Sequence, residues 1–230
     1  MRIFSDKFGL GERRTENPIT SISTHNDQTM QKPRVLNVGG NSKNTPMPPH
    51  YQQWQQCYLD IDARWNPDIL CDARELTTQQ ASSFDAIFCS HNLEHYYVHD
   101  VAKVLAGFLH VLVPEGFAEI KVPDMRMVMQ AMLERKLDID EPLYMSPAGP
   151  ISTLDVIYGF GAEIERTGND FFAHKTGFTP TSLQRTLNAA GFPYVFLATG
   201  SLEISALAFR QAPATQQRQM FGLPALPVEA

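Results

Sequence analysis

Acids, histidines and a glycine pair recur in this chain just after short apolar runs, where an open α/β sheet presents side chains to ligands. The run Tyr58-Leu59-Asp60-Ile61-Asp62 puts a carboxylate about twenty residues beyond Gly39, the spacing at which a strand-end acid accepts both hydroxyls of an adenosine ribose. A solvated strand-end acid would show the same pattern. In Asp68-Ile69-Leu70-Cys71-Asp72-Ala73, Asp72 can accept an adenine amino group while the Ala73 amide donates to the ring. Upstream, Asn37-Val38-Gly39-Gly40-Asn41 allows a sharp turn that brings backbone amides close to a ligand. The G-x-G-x-x-G pattern is absent, so a pyrophosphate cradle of the usual form is not encoded.

His91-Asn92-Leu93-Glu94-His95 matches H-x-x-E-H, in which two imidazoles hold zinc and the glutamate polarises a water, and His99 extends the series. That chemistry needs the pattern inside a long helix, whereas here it follows an apolar strand run directly. A loop edge and helix start facing a cleft is the preferred reading, no metal ligands are assigned, and a zinc hydrolase stays a minor alternative. His174 reads either as a substrate-touching residue of a covering segment or as a surface histidine.

The elements that must position these groups follow from periodicity. Apolar runs at Arg34–Val38, Cys57–Ile61, Asp68–Cys71, Phe84–Cys89 and Phe117–Val122 alternate with helical or turn segments, which predicts a mostly parallel sheet. Val101, Val104, Leu105, Phe108 and Leu112 recur at helical spacing up to Pro114-Glu115-Gly116. Thr179 and Pro180 open a second helix that Gly191 closes. Tyr194–Thr199 and Glu203–Phe209 are joined too briefly for a crossover, so they form an antiparallel hairpin. The expected fold is a doubly wound, Rossmann-like α/β domain over residues 34–210, with a seven-stranded sheet ending in that hairpin. Residues 1–33 read as a flexible leader and 211–230 as a flexible tail. Residues 123–178, rich in Met, Tyr, Phe and Gly, read as a mobile lid or substrate insertion, with the methionines at 125, 127, 129, 132 and 145 adapting to apolar ligands or packing a small core of their own.

The chain of 230 residues has 19 Lys+Arg against 25 Asp+Glu, a net charge of −6 that disfavours a nucleic-acid binder. Cys57, Cys71 and Cys89 form no CxxC pair and read as buried reduced thiols. No apolar h-region or membrane-length stretch is evident, so a cytoplasmic protein without membrane attachment is expected.

The blocks Leu36-Asn37-Val38-Gly39-Gly40-Asn41, Leu59-Asp60-Ile61-Asp62, Asp72-Ala73-Arg74-Glu75-Leu76 and Phe84 through His95, which ends in Ser90-His91-Asn92-Leu93-Glu94-His95, together resemble the class I S-adenosylmethionine-dependent methyltransferases of the type 11 kind. They are most similar to a bacterial branch whose segment after the first strand is short, and His174-Lys175-Thr176-Gly177-Phe178 shares that resemblance. Asn37 and Asn41 depart from the family's usual acid and glycine, and Pro46, Pro48 and Pro49 replace the helix normally found there. The resemblance implies S-adenosylmethionine as cofactor, with Gly39, Gly40 and Asn41 at its amino-acid part, Asp60 at the ribose, Asp72 and Ala73 at the adenine, and Ile61, Ser90 and His91 also at the cofactor. It implies methyl transfer to a small-molecule or glycan-like acceptor. Should that acceptor lose a proton, His95 and then His174 are the candidate catalytic bases. A catalytically inactive methyltransferase-fold scaffold is the alternative.

Overall fold

The computed structural model describes residues 32–40, 43, 45–147 and 149–225. Its main sheet contains β1 (Arg34–Val38), β2 (Gln55–Asp60), β3 (Ile69–Leu70), β4 (Phe84–Ser90) and β5 (Leu112–Pro123), all in parallel register. A second, two-stranded sheet pairs β6 (Pro142–Ser146) with β7 (Gly149–Ser152). The hairpin of β8 (Tyr194–Gly200) and β9 (Glu203–Phe209) completes the main sheet in the order β3-β2-β1-β4-β5-β9-β8. Because β9 pairs antiparallel with both β5 and β8, it alone runs against the other six strands. Only two residues, Ser201 and Leu202, separate the hairpin strands, and both have positive φ, as a tight turn between twisted strands requires.

Pleating splits the strands between two apolar layers. Leu36, Ile87, Ala118 and Ala206 face α1 (Val98–Val111), which contributes Val101, Val104, Leu105 and Phe108, and the later helix α5, Pro180–Ala190, which contributes Leu183 and Leu187. The start of that later helix follows from its local sequence: Thr179 and Ser182 form a reciprocal capping box, Pro180 fills the first turn, and Gly191 ends it in the left-handed region. Val35, Ala86, Phe117 and Phe209 face the opposite layer, which holds Met47 and Tyr51. The link after β1 carries only a 3-10 turn at Pro49–Tyr51 among its described residues, as its prolines predict.

The expectation for the tail needs correction. Residues from 211 on were expected to be loose, yet Thr215–Phe221 is a helix, α6, and Phe221 packs edge-on to Phe117 at 5.1 Å. The apolar Phe221-Gly222-Leu223 segment packs there, on a part of the sheet that no crossover helix among the described residues covers. The leader, residues 1–33, lies outside the described residues apart from its last two. Residues 123–178 are built around a small core: α2 (Met125–Glu134), the β6/β7 hairpin and α3 (Thr153–Tyr158) bury Val128, Leu143 and Val156 together. None of the five methionines lines the principal cleft; Met129 and Met145 are exposed. Gly159 is tightly packed: its φ is +96° and a Cβ there would lie 2.0 Å from the Phe172 carbonyl. The final helix of this insertion, α4, spans Gly161–Thr167. No helix among the described residues is long and apolar enough to cross a membrane. Cys89 is buried, Cys57 and Cys71 half-buried, and all three are free thiols.

Candidate active site

A cleft of about 570 Å³ opens over the carboxyl ends of β1, β2 and β4, where the strand order turns. Its floor begins at Gly39, which adopts φ +70° and hydrogen-bonds through its N–H to the Leu59 carbonyl at 2.9 Å. A Cβ at this position would lie 2.1 Å from the Asn92 side-chain nitrogen, so the residue must be glycine for the β4 loop to close over it. Asn92 is held in turn by the Tyr96 hydroxyl, which donates to its Oδ1 at 3.2 Å. Neither Asn92 nor Tyr96 was anticipated from sequence; Asn92 lies in the Ser90–His95 block and Tyr96 just after it, but only the folded loop shows Asn92 reaching across to Gly39.

The acids of the cleft are fixed by their own turns. Asp60 is buried, and its Oδ1 accepts the Asp62 N–H at 2.8 Å. Asp62 caps the following 3-10 turn and is forked by the Arg64 guanidinium. Asp72 caps the next turn, accepts from the Arg74 N–H, and is paired side-on with the Arg74 guanidinium at 2.5 Å. Burial works against the Asp72 charge, but the hydrogen bonds from Arg74 win and hold its carboxyl below the usual range. Arg74 also reaches Asp100 at 3.4 Å, tying the start of α1 to the cleft wall. The Asp72 carboxylate therefore faces the cleft already engaged by an arginine.

His91 closes β4 in the left-handed region, φ +49°, a conformation a non-glycine residue adopts only under tertiary constraint. Its Nε2 lies 2.9 Å from Glu203 on β9 and its Nδ1 3.4 Å from Glu94. Enclosure among these strand ends works against its charge, yet the contacts with Glu203 and Glu94 push it up to about 9. His91 is thus a cation at neutral pH, spent on linking the β4 loop to the terminal hairpin.

The insertion supplies the far wall with Phe160, Asp170, Phe171, Phe172, His174 and Lys175. Two backbone bonds hold it there: the Lys175 and Thr176 amides donate to the Glu94 carbonyl at 2.8 and 3.2 Å. His174 faces His95 edge-on, ring centroids 4.9 Å apart. The His174 Nδ1 donates to the Val156 carbonyl at 2.8 Å, which directs Nε2 away from it. Burial lowers the His95 pKa in spite of the nearby Glu94 charge, so its neutral form prevails at pH 7.

Of the residues singled out from sequence, Gly39, Asp60, Ile61, Asp72, His91, His95 and His174 line this one cleft. Gly40 faces a small neighbouring recess with Lys43 and Tyr58. Ala73 is buried beneath the cleft and Ser90, half-buried at the end of β4, is not among its lining residues. Asn41 lies outside the described residues. The H-x-x-E-H fragment does not form a zinc helix, because His91 is left-handed, Leu93–His95 is a single 3-10 turn, and α1 begins only at Val98.

A family model described as a methyltransferase domain matches residues 53–120. No curated protein matches the chain. Among solved structures, a Pyrococcus horikoshii protein superposes with a TM-score of 0.52 at 13% identity, covering 80% of this chain and 84% of its own. A SAM-dependent methyltransferase from Archaeoglobus fulgidus gives 0.46 at 13% identity, with 77% and 86% coverage. The 1,6-didemethyltoxoflavin-N1-methyltransferase of Burkholderia thailandensis, solved with bound 1,6-didemethyltoxoflavin and S-adenosylhomocysteine, gives 0.45 at 18% identity, with 77% and 71% coverage. The matched segment runs from the approach to β2 through β4 and α1 into β5, the stretch that builds the cleft's acidic wall and its histidine loop. Residues 53–120 thus match a methyltransferase-domain model, and they lie within an α/β sheet of order β3-β2-β1-β4-β5-β9-β8 with β9 reversed.

Proposed function

We propose that this protein transfers a methyl group from S-adenosylmethionine to a small acceptor bound against the insertion. The observation that carries the reading is the convergence, in one cleft over the strand ends, of the positive-φ Gly39, the buried Asp60 carboxylate and the Asp72–Arg74 wall. The residues fit the cofactor. Gly39 offers bare backbone at the end of β1, and Asp60, its carboxylate held by the Asp62 amide, is prepared to accept ribose hydroxyls. Asp72, with Ala73 behind it, borders the adenine end together with Ile61. Bound there, the cofactor supplies an activated methyl on a sulfonium.

What this chain adds is position and dryness. Phe160, Phe171 and Phe172 wall the acceptor end with apolar surface, and residues 158–175 form its cover. His95 and His174 stand at that end and handle the acceptor's proton. His174 is the better placed for this, since its Nδ1 is committed to Val156 while both His95 nitrogens lie 3.1 Å from backbone carbonyls. The acidic walls suit an uncharged or basic small molecule better than a nucleic-acid backbone.

The test is calorimetric titration of the full chain with S-adenosylhomocysteine and S-adenosylmethionine. Binding at micromolar concentrations is expected. Absence of heat, and of any thermal shift, with millimolar cofactor would overturn the proposal in favour of the scaffold.

A further inference from the structure

Beside the cleft lies a cluster with too many acceptors for its protons. Glu94 is 1% exposed, and neither of its carboxylate oxygens receives a hydrogen bond among the described residues. The nearest cation is the His91 ring, 3.4 Å from Oε1 and already hydrogen-bonded through its other nitrogen to Glu203. A buried carboxyl group left without hydrogen bonds is costly, so a structure keeps one where something else completes it. His95 presents the complementary anomaly. Its Nδ1 lies 3.1 Å from the Ala173 carbonyl and its Nε2 3.1 Å from the His91 carbonyl. A neutral imidazole carries one N–H, so one of those contacts sets lone pair against lone pair. His174 donates from Nδ1 to Val156, which fixes its tautomer and leaves the Nε2 lone pair to face outward.

Donor atoms of Glu94, His95 and His174 all lie within 4.8 Å of one another. A transition-metal ion with bonds of about 2.1 Å bridges such a span after shifts of about half an ångström. The surroundings match what metal-bound imidazoles need, because the second ring nitrogen of each histidine has a backbone carbonyl to donate to. We propose that Glu94, His95 and His174 form a binding site for one divalent transition-metal ion at the acceptor end of the cleft. Two imidazoles and a carboxylate are a borderline donor set, suited to zinc, cobalt or manganese rather than to magnesium or calcium. Three protein ligands also leave coordination positions open toward the cleft that His95 and His174 line.

This deepens the reading of the cleft given above and rests on it, with one change: imidazoles that ligate an ion have no lone pair left for a proton, so the ion takes over the role given there to His95 and His174. An ion here supplies a Lewis acid next to the acceptor and lowers the pKa of a bound hydroxyl, whose proton leaves to solvent. The set differs from the H-x-x-E-H pattern: His91 is excluded by its backbone and by Glu203, and the third ligand comes from the insertion far along the chain.

The experiment uses the full chain, prepared without a histidine tag and freed of metal, titrated with Co²⁺ alone and with Zn²⁺ as competitor. One Co²⁺ per chain is expected, with visible absorption bands that Zn²⁺ abolishes. Glu94→Gln and His174→Ala should each weaken Co²⁺ binding by 100-fold or more, while His91→Gln leaves it within about threefold. S-adenosylhomocysteine binding is measured on the same samples and should persist in Glu94→Gln, which shows that the variant is folded. Absence of stoichiometric Co²⁺ at millimolar concentration, or binding that survives both ligand substitutions, overturns the metal site. Loss of S-adenosylhomocysteine binding in the wild-type chain with the metal still bound would instead overturn the reading of the cofactor cleft.

Discussion

Replacing Asp60 by alanine tests the cofactor cleft at the residue on which it depends most. The carboxylate is 8% exposed, and one oxygen is pinned by the Asp62 amide at 2.8 Å, so it has little freedom to seek other partners. A hydrogen bond to a charged group contributes about 1.5–3 kcal/mol, and the ribose presents two hydroxyls to one acid. Taking about 2–3 kcal/mol for the pair, after the cost of desolvating the acid, gives an affinity loss of about 30- to 150-fold. Asp60→Asn keeps one acceptor for the Asp62 amide but turns the other into a donor, so about a tenfold loss is expected. The Ala variant also frees the Asp62 amide, at about 1 kcal/mol, which for a domain of this size lowers Tm by about 2–4 °C without unfolding it. Calorimetry with S-adenosylmethionine and S-adenosylhomocysteine in parallel separates two explanations. Ribose contacts are shared by the two ligands, so both must weaken equally. If the Ala variant binds S-adenosylhomocysteine as tightly as wild type does, or if only the cationic ligand weakens, Asp60 acts as a distant charge and the assignment to the ribose is wrong.

Gly159→Ala forces a Cβ to within 2.0 Å of the Phe172 carbonyl at a φ of +96°, so a Tm drop of several degrees is expected together with weaker ligand protection of residues 171–175; a neutral substitution would show that this crossing is not packed. The depressed Asp72 carboxyl contributes stability that is fully present above its unfolded pKa near 3.8 and is lost as the pH falls through its lower folded value. Arg74→Met should therefore flatten the acid limb of a urea-denaturation series between about pH 2.5 and 5, and an unchanged limb refutes the pairing. Hydrogen exchange should show residues 158–175 slowed by S-adenosylhomocysteine while 128–156, around Val128, Leu143 and Val156, are protected in the free protein too; equal protection of both segments in the free protein would argue against a cover.

Much of the scaffold was legible from local patterns because the forces that make it are local. The apolar run 34–38 matches β1 to the residue, and Thr179, Pro180 and Gly191 delimit α5 through capping that depends only on neighbours. The short Gly200–Leu202 link required an antiparallel pair, since chain length forbids anything else. Strand-end acids could be placed near a ligand because parallel strands fed by crossovers end on one edge of the sheet. Other features depend on contacts between segments distant in sequence. Composition marked 211–230 as loose, but Phe117 on the sheet gives Phe221 an apolar partner, and burial outweighs a weak local preference. Methionines marked the insertion as adaptable, yet they fall away from the cleft, and the wall is made by Phe160, Phe171 and Phe172. The metal-helix reading of H-x-x-E-H was already disfavoured by the strand run before it, and the positive φ of His91 breaks any such helix; Glu94 meets His174 only because the Lys175 and Thr176 amides dock on its carbonyl. Spacing along the chain determines which residues share a strand or a helix face. Which residues from remote segments meet is decided by packing, and so Asn92 over Gly39 and His174 against His95 appear only in the tertiary structure.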